Sequence, residues 1–170
     1  PPVAEPHFTS HAMRLEDSRR VARDLDALPG DLVTMGISLT EPGLIPFADT
    51  RREVETAREL GVRMATHTGC VWSLPTGLDQ FAAHGLLGPD IVHVHCNTCS
   101  AREWELLRAS GAKISTSPET EIQMGMGHPP IARALDLGKT LSLSCDVMSG
   151  NSGDMFSQMR MGLQFARCMD

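Results

Sequence analysis

The 170-residue chain carries a formal charge of −6 and a pI near 5.6, and only 4% of it is aromatic, with no Tyr; a nucleic-acid groove, an anionic-membrane surface and a base-stacking platform are not indicated. An apolar fraction of 41% suits one domain with a real core, and no apolar run reaches the roughly 20 residues of a membrane span. The first residues lack a basic-then-apolar leader, and five unevenly spaced Cys suit reduced thiols, so the expectation is a cytoplasmic chain.

Residues 1–8 contain three Pro and read as a loose leading segment. Ser10 is placed to cap a helix over 11–28, where Leu15, Val21, Ala22, Leu25 and Leu28 recur with helical spacing. Pro29-Gly30-Asp31 stops it, and 32–38 reads as a buried strand. After a Pro-rich loop, Asp49 or Thr50 is expected to cap a helix to Leu60, with Gly61 just past its end. A strand follows over 62–68, then a loop, a short helix over 77–84, a turn and a strand over 91–96. Ser100 caps a helix to Ser110 that Gly111 ends, with Trp104, Leu106 and Leu107 for its buried side. Residues 113–117 form a strand that Pro118 stops, and 120–128 reads as a Gly- and Met-rich loop. Pro129-Pro130 starts a helix to Gly138, 141–146 is the fifth strand, and 154–169 is the last helix.

This rhythm is strand then helix, five times, which argues for a parallel sheet with helices packed on it. Two architectures fit: an open doubly-wound sheet, or part of a (β/α)₈ barrel, whose full form takes about 250 residues. Three of the strands end in a residue able to bind metal or move protons: His67, His95 and Asp146. In parallel α/β folds that end of the sheet is where ligands bind. Imidazole and carboxylate suit zinc or iron. Read singly, each is equally a hydrogen-bonded histidine or a capping acid. By strand alternation His93 shares a face with His95, which makes it an interior or supporting residue. Glu119, Glu121, Met124 and His128 lie on the segment after the fourth strand, which is expected to line a substrate or to turn in solvent. Cys96-Asn97-Thr98-Cys99 has CxxC spacing with no second pair, so ordinary thiols are expected. His7 and His11, four apart, read as incidental.

Several motifs taken together resemble the amidohydrolase superfamily, in the branch of cytosine, guanine and S-adenosylhomocysteine deaminases and triazine hydrolases. They are Val92-His93-Val94-His95-Cys96, Ser100-Ala101-Arg102-Glu103-Trp104, Gly111-Ala112-Lys113-Ile114-Ser115-Thr116-Ser117-Pro118, Met124 to Gly127, the Pro129-Pro130 helix start, Asp146 and Gly153-Asp154-Met155-Phe156. The resemblance runs from about Leu32 to the end of the chain. It implies a partial TIM-type barrel of about five βα units, strands four to eight, in which residues 1–30 lead in and the first strands and a flanking β-sandwich are absent. It also implies a divalent metal, zinc with iron as the alternative, on His67 and Asp146. His95 would orient substrate and water, and Asp146 would accept the proton of that water. A small heterocyclic or amide substrate would then lose a C–N bond to activated water. Two departures stand out. The chain has no first-strand His-x-His pair, and Cys70 occupies the position three residues after the strand-five histidine where deaminases carry Glu. The alternatives are a catalytically inactive part of a barrel that closes its sheet with a second copy or a missing half, and an unrelated open α/β protein.

Overall fold

The computed structural model describes residues 10–30, 32–70 and 74–168; the leading segment and His7 lie outside the described residues. Its elements are α1 (His11–Asp26), β1 (Gly36–Ser38), α2 (Phe47–Glu59), β2 (Arg63–Thr68), α3 (Leu78–Ala83), β3 (Ile91–His95), α4 (Ala101–Ser110), β4 (Lys113–Thr116), α5 (Pro118–Gln123), α6 (Ile131–Asp136), β5 (Leu141–Leu143) and α7 (Met155–Cys168). Each strand pairs in parallel with the next in sequence, in the order β1-β2-β3-β4-β5.

That order removes the open doubly-wound alternative, whose strand order reverses at a switch point and whose helices cover both faces. Here one face carries the core. Ile37, Met64 and Ile91 lie side by side in register, as do His93, Ile114 and Leu141. The first row packs with Val54 and Ala57 of α2 and Phe81 of α3; Ile114 packs with Trp104 and Leu107 of α4 and Ala134 of α6. The alternate residues Arg63, Ala65 and His67, Val92 and Val94, and Lys113 and Ser115 are only partly buried or exposed. A parallel sheet running in sequence order with helices on one face is part of a (β/α)₈ barrel. Burying each large apolar side chain on the helix-covered face stabilises it by about 1.5–3 kcal/mol.

Local chemistry explains most boundaries. The Ser10 hydroxyl accepts from the Met13 amide to start α1. Ser100 and Glu103 form a reciprocal capping box on α4, and Gly111 ends that helix at φ +73°, a left-handed conformation that glycine adopts without a Cβ penalty. For α2 the N-cap is Pro46, three residues before the expected cap, because Asp49 sits inside the first turn where its charge favours the helix N-terminus. Three expectations are corrected. The strands over 32–38 and 141–146 shorten to three residues each, since each lies at an edge with one pairing neighbour. The loop expected over 120–128 begins inside a helix, α5, with Pro118 as its first residue rather than as a stop. Among the described residues no helix is long and apolar enough to cross a membrane.

Candidate functional site

At the C-terminal ends of β2 and β3 the side chains of His67 and His95 stack, with ring centroids 5.4 Å apart and planes 21° from parallel. Asp146, three residues past β5, brings Oδ2 to 3.9 Å from His95 Nε2. The three residues that the strand-end pattern singled out therefore meet, although they come from three separate strands.

His95 is 2% exposed and is fixed from behind. Its Nδ1 lies 3.0 Å from Oε1 of Glu121, which is wholly buried on α5. The same carboxylate accepts from the Thr116 hydroxyl at 2.7 Å, the Ser117 amide at 2.8 Å and the Asn97 amide at 3.2 Å. Because every other neighbour donates to it, the carboxylate is the acceptor for Nδ1–H, which turns the Nε2 edge of the ring toward Asp146. Glu121, expected on a substrate-facing loop, thus lies under His95 and not at the surface. Its helix is only six residues long, too short for apolar periodicity to reveal.

The backbone contributes as well. His95, Cys96 and Asp146 all have positive φ, at 77°, 61° and 54°. A left-handed non-glycine residue costs on the order of 1–2 kcal/mol, and such strain gathers at functional sites. At His95 it also breaks the strand alternation. His93 stays in the apolar row, its Nδ1 2.9 Å from the Thr68 hydroxyl and its ring edge-on to Phe81 of α3. His95 turns instead across the strand ends toward His67. The expectation that His93 and His95 share a face, with His93 in the barrel interior, is corrected: His93 points into the helix layer. Burial there lowers its pKa to about 4, with the Lys139 charge adding to the shift.

Two further residues belong to this end of the sheet. Glu41, in the loop after β1, accepts from the Cys70 thiol through Oε1 at 3.1 Å and brings Oε2 to 3.9 Å from His67 Nδ1. Burial, the Glu41 contact and, more weakly, the Asp146 charge push the Cys70 thiol up to about 12, so it stays protonated. Nothing in the periodicity marks Glu41; only its neighbouring turn residues Pro42 and Gly43 hint at a shaped loop.

The remaining candidates disperse. Glu119 is tied to Gln158 of α7, which donates to its Oε2 at 2.8 Å. Met124 is 62% exposed. The His128 carbonyl accepts from Asn97 at 3.0 Å, and its side chain lines a shallow groove of about 510 Å³ with Trp104 and Pro130 on the outside of α4 and α6. The thiols of Cys70, Cys96, Cys99, Cys145 and Cys168 are free, and burial with a hydrogen bond to Cys99 raises the Cys96 thiol.

The donor chemistry of His67 and Asp146 suits a divalent metal, but among the described residues no group of three or more His, Cys, Asp or Glu is placed to hold one.

Fold and site together define the class: part of a (β/α)₈ barrel with histidines and an aspartate gathered at its strand C-termini. No family model matches the chain. It is similar to the 5'-deoxyadenosine deaminase of Methanosarcina mazei, 32% identical over 77 residues, which are 45% of this chain and 18% of that protein. It is also similar to the 5-methylthioadenosine/S-adenosylhomocysteine deaminase of Pyrococcus furiosus, 29% identical over 71% of this chain and 26% of the other. Among solved structures, an amidohydrolase from a Sargasso Sea environmental sample superposes with a TM-score of 0.76 at 25% identity over 99% of this chain and 38% of that one. A zinc-bound adenosine deaminase from Xanthomonas campestris gives 0.78 at 19% identity, covering 91% and 38%. The chain resembles the amidohydrolase superfamily, and it spans less than half the length of the relatives it matches.

Proposed function

We propose that this chain is the portion of a metal-dependent hydrolase that carries His67, His95 and Asp146, and that the complete site removes a nitrogen from a small heterocycle or amide by adding water across a C–N bond. The observation that carries this reading is the meeting of three side chains from three strand ends, with His95 locked by the buried Glu121. The deaminase names of the relatives agree with it. A divalent metal, zinc in preference to iron, would acidify the attacking water. His67 and Asp146 are its candidate ligands here, and the other ligands have to come from elsewhere in the full site.

This chain's own residues have definable tasks. Asp146 accepts the proton of the attacking water and returns it to the departing nitrogen. His95, held by Glu121, orients water and substrate. Glu121 acts on the substrate only through His95. Localisation in the cytoplasm and closure of the sheet by a second copy or a missing half belong to the same proposal.

The test is metal content by plasma mass spectrometry, with ammonia release from a panel of aminated heterocycles, for the wild-type chain, His67→Ala and Asp146→Ala. Where a second copy of the chain completes the site, the reading expects about one zinc or iron per chain, lost in both variants together with ammonia release. A wild-type chain without metal or ammonia release overturns it for this chain. A second reading, an inactive part of a barrel, would then hold; it is favoured by the lack of a three-donor group among the described residues.

A further inference from the structure

Glu41 is not accounted for by any step above, yet it is built into the site with unusual care. The β1–β2 pairing continues past the strand end, the Leu39 amide donating to the Ala65 carbonyl at 2.8 Å. The next residue is clamped twice: the Thr40 amide and hydroxyl each lie 2.7 Å from the carboxylate of Glu53. Glu53 is wholly buried on α2 and is in turn paired with Arg14 and with His11 Nε2 at 3.0 Å. On the other side of Glu41 the loop is wedged against its neighbour. A Cβ on Gly43 would stand 2.7 Å from Pro75 Cδ, and one on Gly77 would stand 2.5 Å from Pro42 Cβ. The backbone bearing Glu41 is therefore positioned before any ligand arrives.

The carboxylate itself is half engaged. Oε1 accepts from the Cys70 thiol, and Oε2 faces His67 Nδ1 from 3.9 Å, beyond hydrogen-bonding distance. The side chain is 16% exposed. Glu41 and Asp146 each lie 3.9 Å from a ring nitrogen of the stacked His67–His95 pair, which gathers two carboxylates and two imidazoles at one space. Such a space attracts N–H donors and disfavours groups that only accept.

We propose that Glu41 is a ligand-recognition carboxylate of this site, whose Oε2 accepts a hydrogen bond from an N–H of an aminated nitrogen heterocycle. Cys70 holds the carboxylate in place by donating to its other oxygen. The inference rests on the reading of this end of the sheet as the substrate site, and it adds the donor pattern a substrate must present.

The test is a binding titration of the full chain that needs neither metal nor turnover. Histidine ring resonances are followed by NMR as 2,4-diaminopyrimidine is added, and separately as 2,4-dimethoxypyrimidine, which has the same ring and no N–H. The wild-type chain is expected to show saturable shifts of His67 and His95 with the diamino probe and at least tenfold weaker binding of the dimethoxy probe. Glu41→Gln is expected to weaken the diamino probe about tenfold or more, the loss of a hydrogen bond to a charged acceptor. Equal binding of the two probes, no shift with either, or a folded Glu41→Gln variant that binds as the wild type does would overturn the proposal. If Glu41→Gln does not fold, discrimination between the probes by the wild-type chain decides. A chain that discriminates the probes yet holds no metal and releases no ammonia keeps this inference and loses the catalytic one. An active chain whose Glu41→Gln variant keeps its probe affinity does the reverse.

Discussion

The two sides of His95 are built on opposite principles. Behind the ring, Glu121 is wholly buried and has every neighbour donating to it, from β4, α5 and the segment after β3. In front, the side chain of His67 is 56% exposed and that of Asp146 28%, and among the described residues these side chains meet their neighbours at 3.9 Å or by stacking. The buried side is over-determined because a carboxylate out of water must have its lone pairs filled. The open side is under-determined because, among the described residues, no side-chain hydrogen bond ties His67 or Asp146 in place. Stability is stored in the first region, the proposed function draws on the second, and the contrast can be broken from either side.

The largest effect is expected at Glu121. Glu121→Ala leaves Thr116, Ser117, Asn97 and His95 without their acceptor, and removing one partner of a buried polar pair costs about 3–5 kcal/mol. Urea unfolding followed by circular dichroism measures this; a loss under 1 kcal/mol would mean that the hub is not the anchor described. Next is the pH dependence set by His93. Its pKa is about 4 when folded and the ordinary 6.5 when unfolded, so between those values the unfolded chain binds the extra proton. Stability is therefore full above pH 6.5 and falls as pH drops toward 4, by about 3 kcal/mol. Urea midpoints at pH 7.5 and 4.5 check this, and His93→Gln should flatten the difference.

Ser100→Ala removes half of the α4 capping box and should cost about 1 kcal/mol, read from the same unfolding curves. The smallest effect sharpens the comparison most. His67→Ala, on the exposed side, should change stability by no more than about 0.5 kcal/mol while removing bound metal. A large destabilisation by His67→Ala would show that the open side is structural after all.

Much of this was readable before the fold was known, and the reasons differ from element to element. The α4 helix is written into residues 100–111, because a Ser-x-x-Glu box and a C-terminal glycine act locally. The βα rhythm and the strand-end positions of His67, His95 and Asp146 follow from β-branched and apolar runs between helix signals. The resemblance to amidohydrolases rests on the order of those same signals. Glu121 reads in the sequence as a loop residue rather than a buried one, since α5 is too short to leave a periodic trace. Glu41 was missed because its meaning lies in a contact with Cys70, 29 residues away.

By itself the sequence determined which residue types stand at the ends of which strands, and that a parallel sheet would carry them, because propensity, capping and alternation are properties of neighbours along the chain. Only the tertiary structure decided that the sheet runs in simple order with its helices on one face, that a left-handed turn at His95 parts it from His93, and that Glu41 and Glu121 close on the site from opposite sides. Those outcomes depend on packing and desolvation between segments far apart in the chain, where a backbone strain of on the order of 1 kcal/mol is held in place by many buried contacts.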